Sequence, residues 1–364
     1  MTGSIVVVGA GGAIGSHLVP HLGRMAGIRR VTLIDHDVYE AKNLVSQDIT
    51  RRDLGRPKAM GQARRLRRIA PELRVTAVAE RVEDVPLGLL HGDVLLACLD
   101  SRAARRTVNL CAWRLGVPWI DAGVRREDLL ARVNVYRPGP DEPCLECAWE
   151  DRDYETAEQA YPCAADEGPA PTNAPSGLGA LAAALQALEC EKLLAGRHEH
   201  VAAGSQVTIS ALGHRHYVTR FAANPGCRFD HARWNVEALD RQPDALALAE
   251  TFRLGRGALG AQHEMRLGVA NQLFASALGC PACGHRREFS LRLLGRLGAA
   301  ARACPQCGRP MRAGGGDVVE WLAASGLPPA LRQASLGDLG ARPGDVVTLA
   351  GPTGVAHFQI GGVA

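Results

Sequence analysis

The stretch from Ile5 to Asp37 constrains this chain most. Ile5-Val6-Val7-Val8 runs straight into Gly9-Ala10-Gly11-Gly12-Ala13-Ile14-Gly15, then an apolar helical pattern, then Val31-Thr32-Leu33-Ile34-Asp35. Four β-branched residues ending at a glycine read as a strand buried on both faces of a parallel sheet. The glycines permit a tight turn that brings backbone N–H groups against a phosphate, and the following helix points its positive end at the same place. Asp35, at the tip of the second strand, is placed to accept hydrogen bonds from a ribose. The expected fold is a doubly wound, Rossmann-like α/β domain with a nucleotide at its switch point.

Length and composition narrow the partners. The 364 residues suffice for two or three domains, and a net charge of +4 with 22% charged residues describes an ordinary soluble chain. Lysine occurs only at positions 42, 58 and 192, the other cations being arginine. No signal peptide is read before Ile5, and the most apolar helical stretch, Leu178 to Leu188, is too short and polar to span a membrane. A cytoplasmic location is therefore expected. Six of the eleven cysteines form three C-x-x-C pairs, which in such a chain points to metal rather than disulfides.

Further strands are expected at Val75–Val78, Asp93–Asp100, Val117–Gly123 and Ala131–Tyr136, and a helix after Pro57. Ligands in open α/β sheets sit at the carboxyl ends of the strands, so Gly9, Asp35 and Asp100 should face one crevice. Asp100 also reads as a possible N-cap of the next helix, and Asp37 equally as a turn residue.

The ordered motifs are Gly-x-Gly-Gly-x-x-Gly, strand-Asp-x-Asp, Asn43-Leu44-x-x-Gln47, Gly55-x-x-Lys58-Ala59 and strand-Asp100. Together they resemble the ubiquitin-activating-enzyme-like adenylyltransferases, the family of ThiF, MoeB and HesA, over roughly residues 4 to 225. The resemblance implies ATP-dependent adenylation of a carrier's C-terminal carboxylate, the carrier being a small ubiquitin-like or sulfur-carrier protein ending in Gly-Gly. It implies that Gly9, Gly11, Gly12 and Gly15 line the phosphate turn and that Asp35 binds ribose, with Asp37 and Gln47 beside the nucleotide. Asn43 and Lys58 would contact phosphates and Asp100 would hold Mg²⁺. It further implies a homodimer. The sequence departs from the family at Ser46, where an arginine usually helps neutralise pyrophosphate; Arg51 and Arg52 are candidate substitutes. Cys163, just before the helix Leu178–Leu194, is by resemblance the acceptor for a thioester or persulfide, or a cysteine without covalent chemistry.

The family places half of a structural zinc site at a C-x-x-C like Cys144 and Cys147, and Cys227 with His231 would complete it as Cys₃His. Cys280-Pro-Ala-Cys283-Gly and Cys304-Pro-Gln-Cys307-Gly, about twenty residues apart, read as a zinc ribbon. Aromatic residues are too sparse there for base stacking, so a protein-docking role, for example to a conjugating partner, is expected over nucleic acid. The expected organisation is an adenylation domain at 1–231, a helical connector at 232–270, the ribbon at 271–312 and a small α+β docking or ubiquitin-like tail at 313–364. The tail includes a helix-like Val318–Ala323 and a turn into a strand at Val346. Two other readings stay open: an NAD(P)-dependent oxidoreductase sharing Gly9 to Asp35, and a non-catalytic zinc-ribbon scaffold or nucleotide sensor.

Overall fold

The computed structural model describes residues 3–158, 174–260 and 264–362. The chain divides into two compact units, Met1–Val85 with Leu90–Arg233, and Pro86–Leu89 with Trp234–Ala364.

In the first unit the strands are β1 (Gly3–Val8), β2 (Ile28–Ile34), β3 (Arg74–Val78), β4 (Val94–Ala97), β5 (Trp119–Arg125), β6 (Leu130–Tyr136), β7 (Ser205–Ser210) and β8 (Arg215–Arg220). They form one sheet in the order β3-β2-β1-β4-β5-β6-β7-β8. The pairs from β3 to β5 are parallel, and those from β5 to β8 are antiparallel. Val6, Val7 and Val8 pair on both sides, with Thr32, Leu33 and Ile34 and with Leu95, Leu96 and Ala97. The order reverses at β1, with β2 on one side and β4 on the other, which opens the crevice expected of a doubly wound sheet.

The helices are α1 (Gly15–Leu22), α2 (Lys58–Ile69), α3 (Arg102–Leu115), α4 (Asp151–Glu158) and α5 (Ser176–Leu194). Ser101, not Asp100, caps α3: its hydroxyl accepts from the Ala104 N–H at 3.0 Å. Asp100 is thereby left at the strand end. Helix α5 is buried through Leu178, Ala182, Ala183, Gln186 and Cys190. Gln186 donates to the carbonyls of Ala97 (3.0 Å) and Ile120 (2.8 Å), tying α5 to the ends of the central strands.

The second unit has a five-stranded sheet, ordered β14-β10-β15-β16-β9, and a three-stranded sheet, β12-β11-β13. Their strands are β9 (Val236–Leu239), β10 (Arg266–Val269), β11 (Phe274–Gly279), β12 (Arg286–Leu293), β13 (Val318–Val319), β14 (Leu322–Ala323), β15 (Val346–Gly351) and β16 (Gly354–Ile360). Leu246, Phe252, Leu267, Leu349 and Ile360 belong to its core, with α6 (Leu248–Leu259) packed in. Two expectations are corrected here. The helical connector expected at 232–270 narrows to α6, because Val236–Leu239 pairs in parallel with His357–Ile360, Pro243 opens a short 3₁₀ turn and Arg266–Val269 is the strand β10. The helix-like Val318–Ala323 is two short strands, since Val318 pairs with Ala275 and Leu322 with Leu267. In both places sheet pairing outweighs a weak helical period. The strand at Val346 and its neighbour at His357 form the β15–β16 hairpin.

Candidate active site and cysteine clusters

The phosphate turn follows β1. Gly9 adopts φ +78°, and a side chain there would overlap the Cys98 carbonyl. A Cβ on Gly15 would overlap the Gly9 carbonyl, so the turn closes only with glycine at both positions. Gly11 N–H donates to Asp35 Oδ2 at 2.8 Å, and Asp37 N–H to Asp35 Oδ1 at 3.1 Å. These bonds fix the Asp35 carboxylate beside the turn. Burial pushes its pKa above the usual carboxylate range, against the pull of the nearby Lys58 cation and the two N–H groups. Gly12, also in the turn, donates to the Gly9 carbonyl at 3.2 Å.

Lys58 opens α2 and is only 6% exposed. Its Nζ lies 2.9 Å from Asp37 Oδ2, and its stem packs against Gly11. Burial opposes ionisation of Asp37, but the Lys58 ammonium overrides it and holds that carboxyl below its ordinary value. Asn43 sits in a short 3₁₀ turn, where its Oδ1 accepts from Glu40 N–H at 2.8 Å. Gln47 N–H donates to the Asn43 carbonyl at 2.9 Å, while Gln47 Oε1 is buried with no hydrogen-bond partner among the described residues. Ser46, between them, is buried. Asp100 is exposed at the carboxyl end of β4. Gly9, Gly11, Gly12, Asp35 and Asp100 thus follow the carboxyl ends of β1, β2 and β4, and Asp37 with Lys58 joins them.

Two arrangements here were not visible in the sequence reading. Tyr39 is fully buried and accepts from Gln62 Nε2 at 2.8 Å. Its ring lies 2.9 Å from where a Gly61 Cβ would be, and its hydroxyl crowds Gly11, so it wedges the turn against α2. Asp121, on β5 and fully buried, takes Arg105 Nε at 2.8 Å and Arg132 Nη1 at 2.8 Å. Arg105 also donates to the Leu99 carbonyl, next to Asp100. The one available signal was Arg105 itself, a cation one helical turn into α3; its partner lay 16 residues away across a helix.

Cys144, Cys147, Cys227 and His231 come together with their ligating atoms all within 4.8 Å of one another. Cys144 Sγ is 3.7 Å from Cys227 Sγ and 3.8 Å from Cys147 Sγ, and Cys147 Sγ is 3.3 Å from His231 Nε2. Four donors about 2.3 Å from a central tetrahedral zinc would stand about 3.8 Å apart, so the donor set fits that ion. Arg114 clamps Asp230 through both oxygens (2.7 and 2.9 Å), and Trp113 packs edge-on to His231 at 4.7 Å, which fixes the loop that carries the histidine. Cys280, Cys283, Cys304 and Cys307 form a second cluster of the same span, with Cys280–Cys307 and Cys283–Cys304 both at 3.5 Å. Its two turns are alike: Gly284 N–H donates to the Cys280 carbonyl and Gly308 N–H to the Cys304 carbonyl, both glycines at positive φ. Burial raises the Cys280 thiol, but the N–H groups of Ala282 and Cys283 bring it down to about 6, while the facing Cys283 and Cys307 thiols are pushed up. Cys163 lies outside the described residues. Cys190 is buried on α5, and desolvation pushes its thiol up to about 12. Among the described residues no helix is long and apolar enough to cross a membrane.

Residues 2–229 match the model of the ThiF family. The molybdopterin-synthase adenylyltransferase of Escherichia coli is 30% identical over 226 residues, 61% of this chain and 85% of that protein. The sulfur carrier protein ThiS adenylyltransferase of Escherichia coli is 29% identical, covering 53% of this chain and 72% of that protein. The SAMP-activating enzyme E1 of Haloferax volcanii is 28% identical, with coverages of 62% and 80%. Among solved structures, Escherichia coli MccB with succinimide superposes with a TM-score of 0.50 at 23% identity, covering 62% of this chain and 66% of that one, a likeness of fold.

Proposed function

We propose, for a chain that belongs to the ThiF family, an ATP-dependent adenylyltransferase that activates the C-terminal carboxylate of a small ubiquitin-like or sulfur-carrier protein ending in Gly-Gly. The observation that carries this reading is the crevice at the switch point. There a pre-oriented, buried Asp35, a buried Lys58 cation and the exposed Asp100 carboxylate follow the glycine turn. The relatives named as adenylyltransferases of molybdopterin synthase and of the sulfur carrier ThiS support the carrier class.

A carboxylate repels nucleophiles. Transfer to the α-phosphate of ATP removes that charge and provides a good leaving group, with pyrophosphate departing. The chain's part is to hold and neutralise. Gly9, Gly11, Gly12 and Gly15 would cradle the phosphates on backbone N–H groups, with Asp37 and Gln47 beside the nucleotide. Asp35 would accept from the ribose. Asn43, whose Oδ1 is already occupied by Glu40, would offer its Nδ2 donors to phosphate. Lys58 would exchange Asp37 for a phosphate oxygen, and Asp100 would hold Mg²⁺, which screens charge on the departing pyrophosphate. Cys163 is the acceptor we assign to any following thioester or persulfide. We take the assembly to be a homodimer.

Both cysteine clusters would hold zinc as structural sites, the second as a ribbon presenting a docking surface for a conjugating partner. Metal analysis of the purified chain should then find two zinc ions, one for each four-ligand cluster. His231→Ala should lower the count by one while the second site stays loaded. A count of one in the parent chain would remove the Cys144, Cys147, Cys227 and His231 site.

The reading is tested by titrating the metal-loaded chain with Mg-ATP, NAD(H) and NADP(H), and by ATP–pyrophosphate exchange in the presence of a Gly-Gly-ended carrier. Binding of Mg-ATP with carrier-dependent exchange is expected. Selective binding of a dinucleotide would overturn it in favour of an oxidoreductase.

A further inference from the structure

Helix α5 runs opposite to the parallel strands. Its C-terminal Leu194 lies near Gly3 at the start of β1, and Gln186 meets Ala97, the last residue of β4, and Ile120 of β5 beside it. Further back along the helix, Gly179 packs so closely on Ala13 that a Cβ would overlap the Ala13 carbonyl. Ser176 is three residues nearer the helix start, about 5 Å further along the axis, on the crevice side of the sheet. Its Oγ lies 3.1 Å from His17 Nε2, and His17 Nδ1 faces Asp48 Oδ2 at 3.9 Å. The His17 ring is also hydrogen-bonded to the backbone of Ser46. Asp48 itself is held by Arg65 at 2.5 Å and by its own N–H on Ser16 Oγ at 3.0 Å. No adenylation role uses His17 or Ser176.

We propose that Ser176 and His17 are a serine nucleophile and its general base, a second catalytic pair that accepts an activated acyl group. Ser176 Oγ attacks the carbonyl carbon of a mixed acyl–phosphate anhydride and its proton passes to His17 Nε2. The bond from that carbon to the phosphate oxygen breaks, the nucleoside monophosphate leaves with the electron pair, and an ester remains on Ser176. His17 then releases the proton to solvent. Only the source of the acyl group rests on the adenylation reading.

Three features suit this chemistry. The Ser46 backbone and Asp48 orient the imidazole with Nε2 toward the hydroxyl, which is the arrangement that activates a serine. Burial keeps His17 below its ordinary pKa, so it is neutral and able to take a proton; Asp48 opposes that shift, while Arg65 and His21 reinforce it. The Leu178 and Gly179 N–H groups donate to the Pro175 carbonyl, which leaves those of Ser176 and Gly177, the first of α5, without an acceptor within the helix and able to serve an oxyanion.

The test is labelling of the full-length chain with a fluorophosphonate, mapped by peptide mass spectrometry. The probe needs no ATP, so it reports on the pair alone, whereas pyrophosphate exchange reports on adenylation. A single adduct on Ser176 is expected. His17→Gln keeps hydrogen-bonding reach but cannot act as the base, and should slow labelling by about 100-fold or more. In the parent chain the rate should rise with pH through an inflection below about 6.5. No adduct on Ser176, an unchanged rate in His17→Gln, or a parent rate without that inflection would each overturn the proposal.

Discussion

Lys58→Ala should lower ATP–pyrophosphate exchange by about 100-fold or more while the protein stays folded. The expected loss is that of removing one preorganised charged contact to the departing phosphates. Lys58 is suited to such an effect because its ammonium is almost wholly withdrawn from water, where a charge acts more strongly than on the surface. Its partner Asp37 is half exposed, so losing the ion pair alone costs little stability. Lys58→Arg should not restore exchange. The stem packs against Gly11 and the ammonium lies 6.0 Å from the Tyr39 ring centroid, a position set for a compact point charge rather than for the wider, planar guanidinium fork. Exchange rates with a Gly-Gly carrier, alongside circular-dichroism melts, decide the matter. Parental exchange in Lys58→Ala would end the assignment of the phosphate site.

The largest loss of stability is expected at Asp121. The carboxylate is completely buried and is shared by Arg105 and Arg132 at 2.8 Å each. Removing it leaves two part-buried cations, Arg105 and Arg132, uncompensated, so Asp121→Ala should destabilise the first unit by up to about 3–5 kcal/mol. Asp121→Asn keeps the shape but loses the charge and should fall between the parent and Asp121→Ala. Urea unfolding followed by tryptophan fluorescence is the measurement, since Trp119 lies two residues away on β5 and stacks on Tyr136 at 4.7 Å. A change below about 1 kcal/mol in Asp121→Ala would show that solvent already screens the two arginines and that the ion pairs contribute little. Exchange activity should fall as well, because Arg105 also holds the Leu99 carbonyl immediately before Asp100.

Much of the first unit was legible because its signals are local. The apolar run Ile5–Val8 and the glycines after it leave few conformations open, and parallel strands with carboxyl-edge ligands follow from that unit. The C-x-x-C turns are equally local, each closed by its own N–H groups. Expectations failed where the period was short and the partner distant. Val236–Leu239 became a strand because β16, more than a hundred residues later, offered an edge. Asp100 reads equally well as a cap until the structure gives that role to Ser101.

By itself the sequence determined the glycine turn, the acid at the end of β2, the lysine at the start of α2 and the pairing of cysteines within each turn. All of these depend on neighbours within a few residues. Only the tertiary structure decided that Cys227 and His231 reach Cys144 and Cys147, that Asp121 is sealed between two arginines, that Tyr39 wedges Gly11, and that Ser176 meets His17 across 159 positions. Those contacts arise where helices and loops are brought together by burying apolar faces, and burial is set by the whole packed chain rather than by any single stretch of it.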